Sequence, residues 1–413
     1  MPDTVETESN PFDEFNKAMG AGIITNPYPD FVAMRAGHVS ASDVRQLLGL
    51  DPDAPLDFDP ADVPPLYTVS SYEAVQEVLR DGERFSSSGY AEMMGAVMGH
   101  TILEMDEPEH HSYRSLIQQA FSRKAMERWE RELVGPIVDE CIDAFVDRGK
   151  SELVSELHFP FPVNVIAALL GLPRADLAKF HRWTVELISV SINVEMAMNA
   201  SASLYEYLVG FVHERRDNPG DDMISVLATA EHDGVRLTDD EIIAFCRLLL
   251  PAGAETTYRS SANLMCGLLT HPEQLDLVRD NRALLPQAIE EGLRWEPPLL
   301  TIMRTTSAET NVCGVDVPAG AMLVVNMGAA NHDETRWPDP ERFDVNRRAT
   351  AHVAFASGPH MCLGMHLARM ETKVAIEHIL DRLPNVRLDP GADPPYITGM
   401  TFRAPPRLDV VFD

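Results

Sequence analysis

Apolar residues recur three and four apart over much of residues 107–293, the period of helices that bury one face. The clearest start signal is Thr238-Asp239-Asp240-Glu241, where a hydroxyl and a carboxylate satisfy free N–H groups of a first turn. Ile242, Ile243, Phe245, Leu248, Leu249 and Leu250 follow; the pattern resumes after Thr257 and stops at His271-Pro272. That run is long for a globular helix. Its middle holds Pro251, which cannot bond the Arg247 carbonyl, and Gly253, a poor helix former. A kink is expected there, and a break into two helices is the alternative. A second helical run covers 365–383, with Leu367, Met370, Val374 and Leu380 on its apolar side.

Strand-like segments are fewer: 66–69, 311–317, 322–327 and 408–412. Residues 70–88 read as a helix and loop, 89–99 as a small-residue, Met-rich connector, and the Asp/Pro-rich 51–65 as a loop. Many helices with a few short strand clusters predict a mainly α fold of α+β character, helix-rich with small sheets. No Gly/Ser-rich linker divides the chain. Residues 66–413 are therefore expected to form one domain, with 1–65 a segment of that same domain.

Composition narrows the function. The chain of 413 residues is 45% apolar and 24% charged, ordinary for a globular protein with a large core. A formal charge of −30 argues against nucleic acid or an anionic membrane surface as partner. No apolar run of membrane-spanning length and no signal-peptide pattern is seen, so no membrane anchor and a cytoplasmic location are expected. The five cysteines, Cys141, Cys246, Cys266, Cys313 and Cys362, show no CxxC and no His at metal-site spacing, which suits a reducing compartment.

Cys362 stands out through its neighbours, Phe355-Ala356-Ser357-Gly358-Pro359-His360-Met361-Cys362-Leu363-Gly364. A loop delivers the thiol to the start of the 365–383 helix, where the helix dipole and loop N–H groups favour a thiolate. Small residues at 358 and 364 allow close approach of a flat cofactor.

This segment resembles the haem-binding loop of the cytochrome P450 monooxygenases, Phe-x-x-Gly-x-x-x-Cys-x-Gly, on Phe355, Gly358, Cys362 and Gly364. The usual Gly after the Phe is Ala356 here, a departure expected to cost little. Ala252-Gly253-Ala254-Glu255-Thr256 resembles the same family's distal-helix pattern. Glu291-Gly292-Leu293-Arg294, with Pro340-Glu341-Arg342-Phe343 further on, resembles its buried ion-pair triad. The likeness covers the chain from about residue 66 onward.

The resemblance implies haem b (iron protoporphyrin IX) ligated by the Cys362 thiolate, between that loop and the distal helix. Thr256 is then expected to hydrogen-bond at the oxygen-activating face, beside Ala252, and Glu255 to relay protons from solvent. Glu291, Arg294 and Arg342 are expected to brace the cysteine loop. His110, Arg114, Arg304 and His360 are the candidate partners of the haem propionates, since guanidinium groups hold carboxylates bidentately.

The implied reaction inserts one atom of O2 into an apolar small molecule. Electrons come ultimately from NAD(P)H through a separate ferredoxin and ferredoxin reductase, because no flavin or nicotinamide fingerprint is present. Arg123, Lys124, Arg128 and Arg369 are candidate docking cations. The pocket is expected around Met94, Val97, Met98, Ile188, Leu249, Leu300, Ile302 and Met400. Steroid or terpenoid, fatty acid and aromatic substrates all fit these walls. A peroxide-driven peroxygenase and a non-enzymatic haem-thiolate sensor are the alternative readings; the intact Glu255-Thr256 pair disfavours the former.

Overall fold

A computed structural model describes residues 16, 17, 20–43, 45, 59, 63–191, 193–348 and 350–413. Most of the expected 51–65 loop, and of the segment 1–65, lies outside these residues.

The first half is largely helical: α1 (Tyr28–Ala36), α2 (Tyr72–Arg80), α3 (Gly89–Met98), α4 (Glu109–Ile117), α5 (Arg123–Trp129) and α6 (Gly135–Asp143). Helices α7 (Pro160–Leu169), α8 (Leu177–Ile188), α9 (Val194–Asp217) and α10 (Met223–Thr229) follow, then the long α11 (Asp239–Thr270). Helices α12 (Pro272–Asp280), α13 (Leu285–Trp295), α14 (Met327–Asn331) and α15 (Met365–Arg382) come after it.

One mixed sheet runs in the order β1 (Val39–Ser42), β2 (Leu66–Val69), β8 (Met322–Asn326), β5 (Thr301–Thr306), β3 (Phe85–Ser86). Within it β2 and β8 are parallel and the other pairs antiparallel. A smaller sheet joins β4 (Lys150–Glu152), β10 (Asp409–Val411) and β9 (Arg387–Leu388), and β6 (Thr310–Val312) pairs with β7 (Val315–Val317) as a hairpin. The expected strand at 311–317 is thus two strands, turned at Cys313-Gly314.

Apolar burial follows this division. One cluster fills the helical part, from Val97 through the α11 residues to Phe412, and a second lies between the mixed sheet and α2.

The capping box forms as the sequence predicts. Glu241 N–H donates to Thr238 Oγ1 (3.2 Å) and Thr238 N–H to Glu241 Oε2 (2.6 Å). Pro251 lies inside α11, and the helix is uninterrupted through all 32 residues, so the two-helix alternative is not realised. Packing explains the continuity, because burial rather than propensity stabilises most helices in proteins. An added Cβ at Gly253 would stand 2.7 Å from Ile166 Cδ1, so this glycine is where α7 presses on α11.

Residues 89–99, expected as a connector, form α3 instead. Val97 and Met98 are buried, Ser201 Oγ donates to the Val97 carbonyl (2.5 Å), and Gly99 ends the helix at φ 81. Packing of the C-terminal turn overrides a glycine-rich composition.

Candidate active site

The cysteine loop is shaped from outside. Cys362 N–H donates to the Phe355 carbonyl (2.9 Å), and Met361 N–H to that of Gly358 (3.1 Å). Gly358 has φ +75, and a Cβ there would lie 2.3 Å from the Leu79 carbonyl oxygen at the end of α2. The backbone of α2 therefore requires a glycine at this position. Gly364 differs, since a Cβ there would meet no protein atom within 4 Å.

Ala356 has φ +57. The departure from Gly is not cheap: an L-residue held in this left-handed region costs about 1–2 kcal/mol. Phe355 is gripped by Arg369, whose guanidinium lies 4.6 Å from the ring centroid and is paired to Glu290 at 2.6 and 2.8 Å.

Cys362 is surrounded by protein yet keeps an accessible surface. Burial pushes its thiol up, while the Gly364 N–H, Arg114 and Arg369 act in the opposite direction. The loop N–H and nearby cations expected from the sequence are present, with burial outweighing them in the protein alone. Cys141, Cys246, Cys266 and Cys313 are free thiols elsewhere in the fold.

The four candidate carboxylate partners converge beside this loop. His110 and His360 pack with tilted rings, 4.1 Å between centroids. Burial, then Arg304, His110 and Arg114, push His360 down to about 3. Arg304 is 5% exposed and donates to the Met303 carbonyl (2.7 Å); among the described residues no carboxylate pairs with it. Arg114 donates to the Met361 carbonyl (2.7 Å), one residue before the cysteine. Nε2 of buried His110 has no partner among the described residues, while Nδ1 reaches Glu107 (3.2 Å).

A buried guanidinium without a counter-ion is costly. Two arginines and two histidines facing one another beside an accessible thiol fit a ligand that brings carboxylates. Haem, with its two propionates, meets that donor set.

On α11, residues 257–269 are buried, but Leu248, Ala252, Gly253 and Thr256 keep exposed surface. Leu248, Ala252 and Thr256 are four apart, so they form one accessible stripe. Thr256 Oγ1 donates back to the Ala252 carbonyl (2.8 Å). Glu255 points elsewhere. Its carboxylate pairs with Arg259 at 3.2 Å, with both side chains 3% exposed, and Arg259 also reaches Asn16 Oδ1 (2.8 Å). Burial raises the Glu255 carboxyl and Arg259 opposes that rise.

The brace is real, but one member differs from expectation. Arg294 grips Glu291 through Nε and Nη2, both at 2.8 Å, and the second cation is Arg347, with Nε 3.0 Å from Glu291 Oε1. Arg342 is not in the network: its side chain is 67% exposed and faces Asp344 at 3.7 Å, contributing its carbonyl alone. The chain turns back after Phe343, so the guanidinium of Arg347 fills the space assigned to Arg342.

One residue was missed. Glu371, on α15, is 1% exposed, hydrogen-bonded to Thr257, and its Oε1 has no partner among the described residues. Burial pushes its carboxyl up to about 8. The signal was present, since Glu371 follows Leu367 by four and precedes Val374 by three, on the buried face of the helix.

Of the expected pocket residues, Val97, Met98, Leu249 and Leu300 are buried, and Met94, Ile188, Ile302 and Met400 are half-buried.

The family model for cytochrome P450 matches residues 163–411. Steroid C26-monooxygenase of Mycobacterium tuberculosis is 35% identical over 78% of this chain and 88% of its own. The cytochrome P450 monooxygenase PikC of Streptomyces venezuelae is 34% identical over 90% and 87%. The crystal structure of CYP109E1 from Bacillus megaterium in complex with testosterone superposes with a TM-score of 0.83 at 31% identity, covering 94% of this chain and 99% of that one. With the cysteine loop, the distal-helix motif and the Glu–Arg brace in place, the chain belongs to the cytochrome P450 family and is a monooxygenase.

Proposed function

We propose that this monooxygenase holds haem b through the Cys362 thiolate and oxidises an apolar molecule of steroid type, with electrons from a separate ferredoxin and reductase. The observation that carries this reading is the meeting of two guanidinium groups, Arg114 and Arg304, with the imidazoles of His110 and His360 beside an accessible thiol. When bound, haem supplies the activation of O2 and the insertion of one oxygen atom into the substrate. Arg114 and Arg304 would hold its propionates, with His110 and His360 beside them. Phe355, Gly358 and Gly364 would shape the loop around the ligating sulfur.

The residues of α11 manage protons. The Thr256 hydroxyl holds a proton at Oγ1 while bonded to the Ala252 carbonyl, and turning away from that carbonyl would present it to the cleft. Glu255 delivers the next proton only if it leaves Arg259, so solvent access is gated by that ion pair.

Met94, Ile188, Ile302 and Met400 offer adaptable apolar walls. A steroid is favoured because relatives of this chain are named for steroid oxidation or bind testosterone. The domain would run from residue 66 onward and include the N-terminal segment, as supported by bonds from Arg403 to the Thr25 carbonyl and from Gly22 N–H to Thr398. Among the described residues no helix is long and apolar enough to cross a membrane, in keeping with work in the cytoplasm. Of the candidate docking cations, Arg369 is committed to Glu290, Arg123 pairs with Glu127 and Arg128 is held by Asp221, which leaves Lys124 as the better contact.

The test is a titration of the ferric protein with steroids, terpenoids, fatty acids and small aromatics, followed by the Soret band. Steroids are expected to shift it from low to high spin; a shift with another class alone reassigns the substrate. With ferredoxin and reductase, Thr256→Ala is expected to keep consuming NAD(P)H while product per electron pair falls at least about tenfold. Full coupling in that variant would remove Thr256 from proton delivery, and turnover with peroxide alone would favour a peroxygenase.

A further inference from the structure

Away from the haem site, three segments far apart in sequence bring metal-ligating side chains together. Ligand atoms of His38, Glu73 and Cys313 all lie within 4.8 Å of one another. Glu77, one turn after Glu73 on α2, adds Oε2 at 3.5 Å from Cys313 Sγ. We infer that His38, Glu73, Glu77 and Cys313 form a zinc site that ties the start of β1, helix α2 and the β6–β7 hairpin together.

The donor set is one imidazole, one thiol and carboxylates, the mixture that borderline-soft Zn²⁺ takes in tetrahedral sites. Zinc–ligand distances of about 2.0–2.3 Å set tetrahedral ligand atoms roughly 3.3–3.7 Å apart. The Cys313–Glu77 pair already meets that spacing, and Glu73, being exposed, can rotate toward Cys313; the His38 imidazole, within 4.8 Å of Cys313 and Glu73, would have to draw in on binding.

Surrounding bonds orient the ligands as outer partners of a metal site do. His38 Nδ1 bonds Ser71 Oγ (2.8 Å), which leaves Nε2 for a metal. Arg84 holds the other oxygen of Glu77 (3.1 Å) and so fixes its rotamer.

The turn that carries Cys313 points the same way. Cys313 and Gly314 have φ 47 and 89, the left-handed pair of a tight hairpin turn, whose first place favours Asn or Gly. His38 also sits at positive φ, 59. Both side chains occupy backbone positions where a smaller residue would be cheaper.

Zinc binding exchanges the thiol proton for a Zn–S bond and releases that proton to solvent, with no redox change. The haem-loaded protein, stripped with EDTA and dialysed against micromolar Zn²⁺, is expected to hold about one zinc per chain by elemental analysis against protein concentration. Cys313→Ser and His38→Gln should each lower zinc affinity at least tenfold while the Soret band keeps wild-type intensity, which certifies the fold. Zinc should also raise the melting temperature of the wild type by a few degrees and leave both variants unmoved. No zinc on the wild type, or equal zinc on wild type and both variants, overturns the inference.

Discussion

Glu291 and Glu371 are two carboxyl groups buried to the same depth, 4% and 1% exposed, and the chain treats them in opposite ways. Glu291 is surrounded by donors: Arg294 through two nitrogens, Arg347, and the Asp344 N–H (3.0 Å). Glu371 has the Thr257 hydroxyl and, among the described residues, no cation. A buried charge must be paired, and a buried carboxyl without a cation takes up a proton instead. The first arrangement is fixed scaffolding; the second favours a protonated carboxyl in the core, bonded to Thr257.

Breaking Glu291 should have the largest effect. Glu291→Ala leaves the buried Arg294 and the half-buried Arg347 without their carboxylate and is expected to cost about 3–5 kcal/mol, read as loss of haem-loaded folded protein on expression. Arg347→Ala is next, at about 1–3 kcal/mol in a denaturant titration, because Arg294 stays with Glu291. Arg342→Ala should fall within about 0.5 kcal/mol of wild type, and the reverse ranking would restore Arg342 to the network.

Glu371→Gln is the gentlest change and sharpens the contrast. In the wild type the folded value is near 8 against an ordinary 4.5. From about pH 4.5 to 8 the native protein therefore keeps a proton that the unfolded chain releases. Stability from this group is full below that window and is lost as pH rises through it, at about 1.4 kcal/mol per unit. The glutamine variant should show a shallower fall of melting temperature between pH 5 and 8 and be the more stable protein at pH 8. Equal slopes would mean that the carboxyl is already ionised.

Local signals in the sequence were read well where they are self-contained. The Thr238–Glu241 box, the α11 and α15 patterns and the Cys362 loop are contiguous, so period and motif were enough. Arg342 was misplaced because the motif names a residue type, whereas the chain reversal after Phe343 decides which arginine reaches Glu291. Residues 89–99 were misread because Gly and Ala hide a helix whose stability comes from burial of Val97 and Met98. Pro251 does not break α11, which runs on through it as one continuous helix packed against its neighbours. The meeting of His38 with Cys313 depends on the packing of the separate β6–β7 hairpin and the β1 edge beside α2, and has no local trace.

The Leu79 carbonyl sits where a side chain at 358 would have to go, and Arg80 Nε bonds Ser357 Oγ (3.3 Å) across 277 residues of chain. The curve of the loop that presents the thiol is moulded on a helix made much earlier during synthesis. A nascent chain that has emerged only through α11 still lacks the loop that this helix end shapes. Presentation of the thiol therefore awaits the nearly complete polypeptide, since the contact that shapes its loop closes some 277 residues of chain.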